Sequence, residues 1–89
     1  MPDPRVWNIR DPNCPKDAVL IDRRTKWGNP IKISKVRSRA ESIRLYREYI
    51  HTAMNTKFLN PRELRGKDLK CWCAPLSCHG DVLLELANA

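Results

Sequence analysis

The 89 residues carry 17 lysines and arginines against 10 aspartates and glutamates, a net charge of +7, with 42% hydrophobic content. That is room for one core and no more, and chains this short often lean on a metal, a disulfide or a second subunit, so a homo-oligomer is among the expectations. No run approaches the roughly 18–20 apolar residues of a membrane span, and Met1-Pro2-Asp3-Pro4 lacks the basic-then-apolar pattern of a secretory leader. The expectation is a cytoplasmic protein with no membrane partner, whose basic balance suits a small anionic ligand or nucleic acid rather than a cationic one.

In chain order, residues 6–9 and 18–21 are short β-prone runs, separated by the turn signal Asp11-Pro12-Asn13-Cys14-Pro15. Residues 23–30 form a polar loop. Ser38 and Glu41 have the spacing of a capping box, which starts a helix that runs to about residue 56. Ile43, Tyr46, Ile50 and Ala53 or Met54 recur at three- and four-residue spacing and mark its buried face. Arg39, Arg44 and Arg47 then point outward or to the flanks, and His51 sits on the helix surface. Asn60-Pro61 opens a short helical turn through Leu64, and Gly66 closes it.

Residues 68–73 read as a strand, with Leu69, Cys71 and Cys73 on one face and Lys70 and Trp72 on the other, broken by Pro75. Residues 81–87 carry Val82, Leu83 and Leu86 and read as an amphipathic helix with Cys78-His79-Gly80 at its N-terminus. The expected fold class is α/β: a small sheet of about three to four strands flanked by helices, as one compact domain over residues 1–89. Strand, loop and helix in that order present a ligand site at the strand's carboxyl end.

The densest chemistry lies between residues 71 and 81, where three thiols and an imidazole fall within nine positions. In the cytosol thiols stay reduced, so these are free thiols, metal ligands or reactive groups rather than a disulfide framework. Cys71, Cys73, Cys78 and His79 supply the ligand types of a tetrahedral zinc site, but the spacing departs from paired C-x₂₋₄-C knuckles and adjacent residues seldom aim at one point. No cofactor is therefore favoured, and zinc is the alternative. A reactive thiol is the second reading. Cys78 near a helix N-terminus has its thiolate favoured by the helix dipole, with Cys73, His79 and Asp81 as further catalytic candidates. No oxyanion hole and no third catalytic member are visible. The third reading is an anion held by backbone N–H groups at residues 78–81, with Gly80 allowing close approach. Against all three stands plain packing: cysteines as small buried hydrophobes, which suits Cys71 and Cys14, and Asp81 as a helix cap.

The loop Arg23-Arg24-Thr25-Lys26-Trp27-Gly28-Asn29-Pro30 sets three cations beside an indole. Trp27 is either a stacking face for a base or a lid on the core, and Asn29 either reads a base edge or caps a turn.

Three stretches, Lys26-Trp27-Gly28-Asn29-Pro30, Tyr46-Arg47-Glu48-Tyr49 and residues 66–85, stand in the order of one pattern. It is a basic T-K-W-G-N-P-type loop, a Y-R-x-Y-type run and a closing G-K-D-L-x-C-W-C-x-P-x-x-C-H-G-D-V-L-L-E-type box. Together they resemble domain of unknown function family 4326, found in bacterial and phage proteins. The match spans roughly residue 19 to the C-terminus; the closing box is specific and the tyrosine run weak. The closing box also resembles a looser cysteine…cysteine-histidine box of another uncharacterised α/β family, where a strand leads into a helix; that likeness implies a pocket at a strand end rather than a zinc knuckle, and no activity comes with it.

The function these readings favour is binding of a small phosphate-bearing ligand, a nucleotide or nucleotide-derived signal, in a basic pocket. Arg23, Arg24 and Lys26 meet its phosphates, Trp27 stacks on its base, Asn29 and His79 orient it and Gly80 lets the backbone close in. The phage side of the family makes sequestration of a host nucleotide signal one form of that role. The alternatives are a Cys/His-dependent enzyme acting on a nucleotide or base, with Cys78 or Cys73 as nucleophile, and a zinc-stabilised nucleic-acid-binding module.

Overall fold

The computed structural model describes residues 3–31, 33–74 and 76–89. Met1, Pro2 and the strand-breaking Pro75 lie outside them. Three short strands, β1 (Val6–Asn8), β2 (Val19–Leu20) and β3 (Leu69–Cys71), form one sheet in the order β1-β3-β2. Both pairings are parallel, with Val6 and Val19 each opposite Leu69. β1 and β2 lie on either side of β3 and run the same way, so the chain must double back between them. The chain between β1 and β2 accordingly returns through consecutive turns, closed by Asp11 N–H to Asn8 O, Cys14 N–H to Asp11 O and Ala18 N–H to Pro15 O. β3, the last strand in sequence, is inserted between the first two and is the most buried, with Leu69 and Cys71 both enclosed.

Helix α1 spans Arg39–Asn55 and starts at the expected residue, with the Ser38 hydroxyl accepting the Glu41 N–H at 3.1 Å, while the Glu41 carboxylate, expected to complete a capping box, pairs with Arg44. Its buried positions are Ser42, Tyr46, Ile50 and Ala53, while Ile43 is only half covered. Ser42 is tolerated inside because its hydroxyl donates to Ile31 O at 2.6 Å. Beyond α1 the chain turns at Lys57, in the left-handed region (φ 62°), and Phe58 and Leu59 N–H groups return to Ala53 O. A 3₁₀ turn follows at Pro61–Leu64, with the Asn60 side chain capping the Arg62 N–H.

Helix α2 spans His79–Ala87, two residues earlier than the sequence expectation. The reason is the cap. Cys78 takes the N-cap position, its sulfur accepting the Gly80 N–H at 3.3 Å, and the Asp81 carboxylate accepts the Cys78 N–H at 3.1 Å. This is a capping box with a thiol where a hydroxyl usually stands. α2 packs on β1 and β3 and against α1 and the 3₁₀ turn. The core is built where they meet, from Ile21, Tyr46, Ile50, Leu69, Val82 and Leu83, all essentially inaccessible. Each such side chain contributes roughly 1.5–3 kcal/mol on burial. Among the described residues, no helix is long and apolar enough to cross a membrane.

Candidate functional site

Because all three strands run parallel, their carboxyl ends emerge on one edge, where crevices for ligands form in open α/β sheets. The loop after β2 and the turn after β3 meet there. Between them and the first turn of α1 lies a cleft of about 560 Å³. Asp22, the second residue past β2, ties the two segments together. Its carboxylate accepts the Arg24 N–H at 2.9 Å, the Arg24 Nε–H at 2.8 Å and the Trp72 indole N–H at 3.2 Å. Arg24, bonded through its guanidinium, holds the Asp22 carboxyl below the ordinary carboxylate range.

The loop divides into residues that reach the cleft and residues that support it. Arg23 and Arg24 line it. Arg24 is paired with Asp22 at 2.7 Å, whereas among the described residues Arg23 donates to the Asn29 carbonyl alone, at 3.1 Å. Lys26 does not line the cleft; its ammonium pairs with Glu63 at 3.0 Å, beside the 3₁₀ turn. Trp27 is 4% exposed and belongs to the core, and its carbonyl accepts the Tyr46 hydroxyl at 2.8 Å. A ring so enclosed has no face for a base, which decides for the core lid over the stacking role. Asn29 borders the cleft, but both ends of its amide are engaged: Nδ2 donates to the Ser42 hydroxyl at 3.0 Å and Oδ1 accepts the Ile31 N–H at 2.9 Å. Asn29 therefore pins the loop to α1. Gly28 is required by close approach, since a Cβ there would lie 2.5 Å from the Arg23 Cα and 2.7 Å from the Asp22 carbonyl oxygen.

The indole that does face the cleft is Trp72, which is 50% exposed. Arg10 lies over it, 5.2 Å from the ring centroid. Arg39, the first residue of α1, also lines the cleft and donates to the Ser77 carbonyl at 3.2 Å. Sequence reasoning placed Arg39 outside the site and Trp72 merely opposite the cysteines. Ile31, Ile33 and Ile43 supply the apolar wall.

At the floor, Cys71, Cys73 and Cys78 bring their sulfurs within 4.8 Å of one another. Cys71 and Cys78 are buried, with sulfurs 3.3 Å apart, and Cys73 is half-buried. Four free thiols are present, and Cys14 lies apart from these three. The titration belongs to the Cys71–Cys78 pair rather than to Cys78 alone. The hydrogen bond shared with Cys78 favours the Cys71 thiolate and lowers its pKa against the opposing effect of burial, with help from the backbone N–H groups of Cys73 and Ala74. The Cys78 thiol is pushed up, by that hydrogen bond first and by burial second. The pair thus loses one proton readily and holds the second, because two thiolates in contact repel.

His79 is buried, and its Nε2 lies 2.6 Å from the Ile21 carbonyl, so Nε2 carries the proton and donates. Burial holds the imidazole below its ordinary pKa, and the Tyr46 ring meets it edge-on with centroids 5.0 Å apart. This placement leaves His79 outside the group of converging sulfurs, so the four-ligand set with Cys71, Cys73 and Cys78 reduces to three. The backbone anion site is also corrected. The N–H groups of Cys78, Gly80 and Asp81 are taken by the Asp81 carboxylate, the Cys78 sulfur and the Cys78 carbonyl. Gly80 faces the core, where an added Cβ would lie 2.7 Å from Ile21 Cδ1 and 2.8 Å from Val6 Cγ2. Asp81 serves as the cap.

These features define a small parallel α/β domain with an arginine-bordered, thiol-floored cleft at the carboxyl edge of its sheet. The chain belongs to the family described as Domain of unknown function (DUF4326), whose model matches residues 7–89. The chain is also 37% identical over 75 residues to the "Uncharacterized 12.4 kDa protein in nrdA-td intergenic region" of Enterobacteria phage T4, an alignment covering 79% of this chain and 67% of that protein. No solved structure matches the chain.

Proposed function

We propose that the cleft binds a small phosphate-bearing ligand of nucleotide type. One observation carries the reading: Arg23 and Arg39 border the same cleft as the half-exposed Trp72 ring, and neither guanidinium has a carboxylate partner among the described residues. An arginine held only by a carbonyl keeps donors for a phosphate, and charge-assisted bonds of that kind contribute about 1.5–3 kcal/mol each. Trp72, fixed through its N–H by Asp22, offers the stacking face that Trp27 does not. His79, with Nε2 committed to Ile21, leaves Nδ1 as an acceptor for orienting a ligand. Sequestration of a nucleotide signal is one use of such a cleft.

The test is a thermal-shift and titration panel of nucleoside mono-, di- and triphosphates with inorganic phosphate as the minimal probe. Arg23→Gln combined with Arg39→Gln weakens every phosphate-bearing probe by about tenfold or more. Trp72→Ala weakens the nucleotides and leaves inorganic phosphate unchanged. Binding that ignores all three substitutions overturns the reading.

A second reading, a zinc-bearing domain, is favoured by the convergence of Cys71, Cys73 and Cys78 on one point at the cleft floor. A metal held there would connect the end of β3 to the N-cap of α2 and add to a small core.

A further inference from the structure

Tetrahedral zinc with sulfur ligands at about 2.3 Å sets neighbouring sulfurs about 3.8 Å apart. The three sulfurs at the cleft floor lie 3.3 Å apart at the Cys71–Cys78 pair and within 4.8 Å throughout, so their spacing brackets that value. The three come from different backbones: the last residue of β3, the turn that follows it, and the N-cap of α2. Thiols in this number and softness select zinc over magnesium or calcium.

The number of ligands is the informative part. Structural zinc sites close the tetrahedron with four protein ligands, and sites that work on a ligand keep one position open. Among the described residues, no fourth cysteine, histidine or carboxylate joins the group. His79 is adjacent in sequence, but neither of its ring nitrogens is among the converging ligand atoms, and its Nε2 is bonded to Ile21 O. All three cysteines line the cleft, and Cys73 is partly exposed to it.

We propose that Cys71, Cys73 and Cys78 form a three-thiolate zinc site whose fourth position opens into the cleft and takes an exchangeable ligand. The proposal rests on the zinc reading above and adds the open position. Three thiolates and one divalent ion leave a single negative charge. The arginines bordering the cleft offset it, and a neutral nitrogen donor, such as an imidazole or a heterocyclic base, suits the open position better than an anion does.

Cobalt(II) reports both parts. The reduced, metal-stripped full chain is titrated with Co²⁺ under argon, then back-titrated with Zn²⁺. One Co²⁺ per chain is expected, with intense sulfur-to-cobalt charge transfer. Cys73→Ser removes about one third of that intensity, and Cys14→Ser leaves it unchanged. Imidazole added to the wild-type cobalt protein shifts the d–d bands, and Zn²⁺ raises the melting temperature of the wild type. Failure to develop thiolate charge transfer overturns the zinc reading and the site with it. Full three-thiolate charge transfer with d–d bands that imidazole leaves unmoved keeps the metal and overturns the open position. A spectrum that changes in His79→Asn then names the residue closing it.

Discussion

The Trp72 indole N–H donates to the Asp22 carboxylate at 3.2 Å, joining two residues fifty positions apart across the carboxyl edge of the sheet. This bond makes one site out of two segments, because Asp22 also orders the turn through Arg24 and accepts the Thr25 N–H on its carbonyl. Asp22→Ala is expected to release the Trp72 indole. By NMR the indole N–H should exchange slowly in the wild type and fast in the variant, and protection that persists contradicts the link. The Asp22 carboxyl is held below its ordinary value, so its contribution is fully present above about pH 3.9 and is lost as pH falls through the lower folded value.

The two tryptophans should separate stability from binding. Trp27→Ala removes a core side chain and is expected to cost about 3–5 kcal/mol in urea unfolding, a large share of the roughly 5–15 kcal/mol that holds a small domain. Trp72→Ala removes a half-exposed ring and one hydrogen bond and is expected to cost clearly less, about 0.5–1.5 kcal/mol, while weakening nucleotide binding. Equal destabilisation by the two would contradict the burial contrast.

Two glycines carry steric loads of different kinds. At Gly80 a methyl group meets the ends of Ile21 and Val6, which give a little, so Gly80→Ala is expected to cost about 1–3 kcal/mol. At Gly28 the methyl group meets the backbone of residues 22 and 23, which cannot yield without moving the loop. Gly28→Ala should therefore be the more damaging by urea midpoint and should also impair the cleft. The reverse order contradicts the packing.

His79 gives the protein an acid sensitivity. Burial lowers its folded pKa below the unfolded value near 6.5, so the unfolded chain binds the extra proton first. The stability this neutral histidine permits is fully present above about pH 6.5 and declines as pH falls toward the folded pKa. In metal-free, reduced protein, urea midpoints measured from pH 8 to pH 5 should fall in that window for the wild type and stay flatter for His79→Gln. A wild-type curve as flat as the variant's contradicts the buried neutral ring.

Local chemistry was legible in the sequence, and long-range pairing was not. Ser38 and Glu41 marked the start of α1, the spacing of Tyr46, Ile50 and Ala53 marked its inner face, and Asn60-Pro61 marked the 3₁₀ turn. The closing box announced the family and the cysteine cluster. What failed depended on what lies opposite. Alternation along β3 was extended to Cys73, but the strand ends at Cys71, and Cys73 joins the sulfurs from a turn. Nothing local distinguishes a tryptophan that seals a core from one that faces a cleft, so the sequence offered Trp27 for the cleft where Trp72 stands. His79 finds its acceptor 58 positions away, at Ile21. Asp22 had a usable signal, since it stands just past the apolar run of β2, where parallel sheets carry their sites. Arg39 had none, because its place in the cleft follows from how α1 packs.

The measurement that bears most directly on the cleft is calorimetric titration of the reduced protein with nucleoside 5′-phosphates at low and moderate salt. Wild type should bind at least one of them at one site per chain, more weakly as salt rises. The Arg23→Gln, Arg39→Gln double variant should lose that binding, and Arg65→Gln, away from the cleft, should retain it. Heats indistinguishable from dilution for every nucleotide, or binding that survives the double variant intact, would contradict the cleft as a phosphate-ligand site.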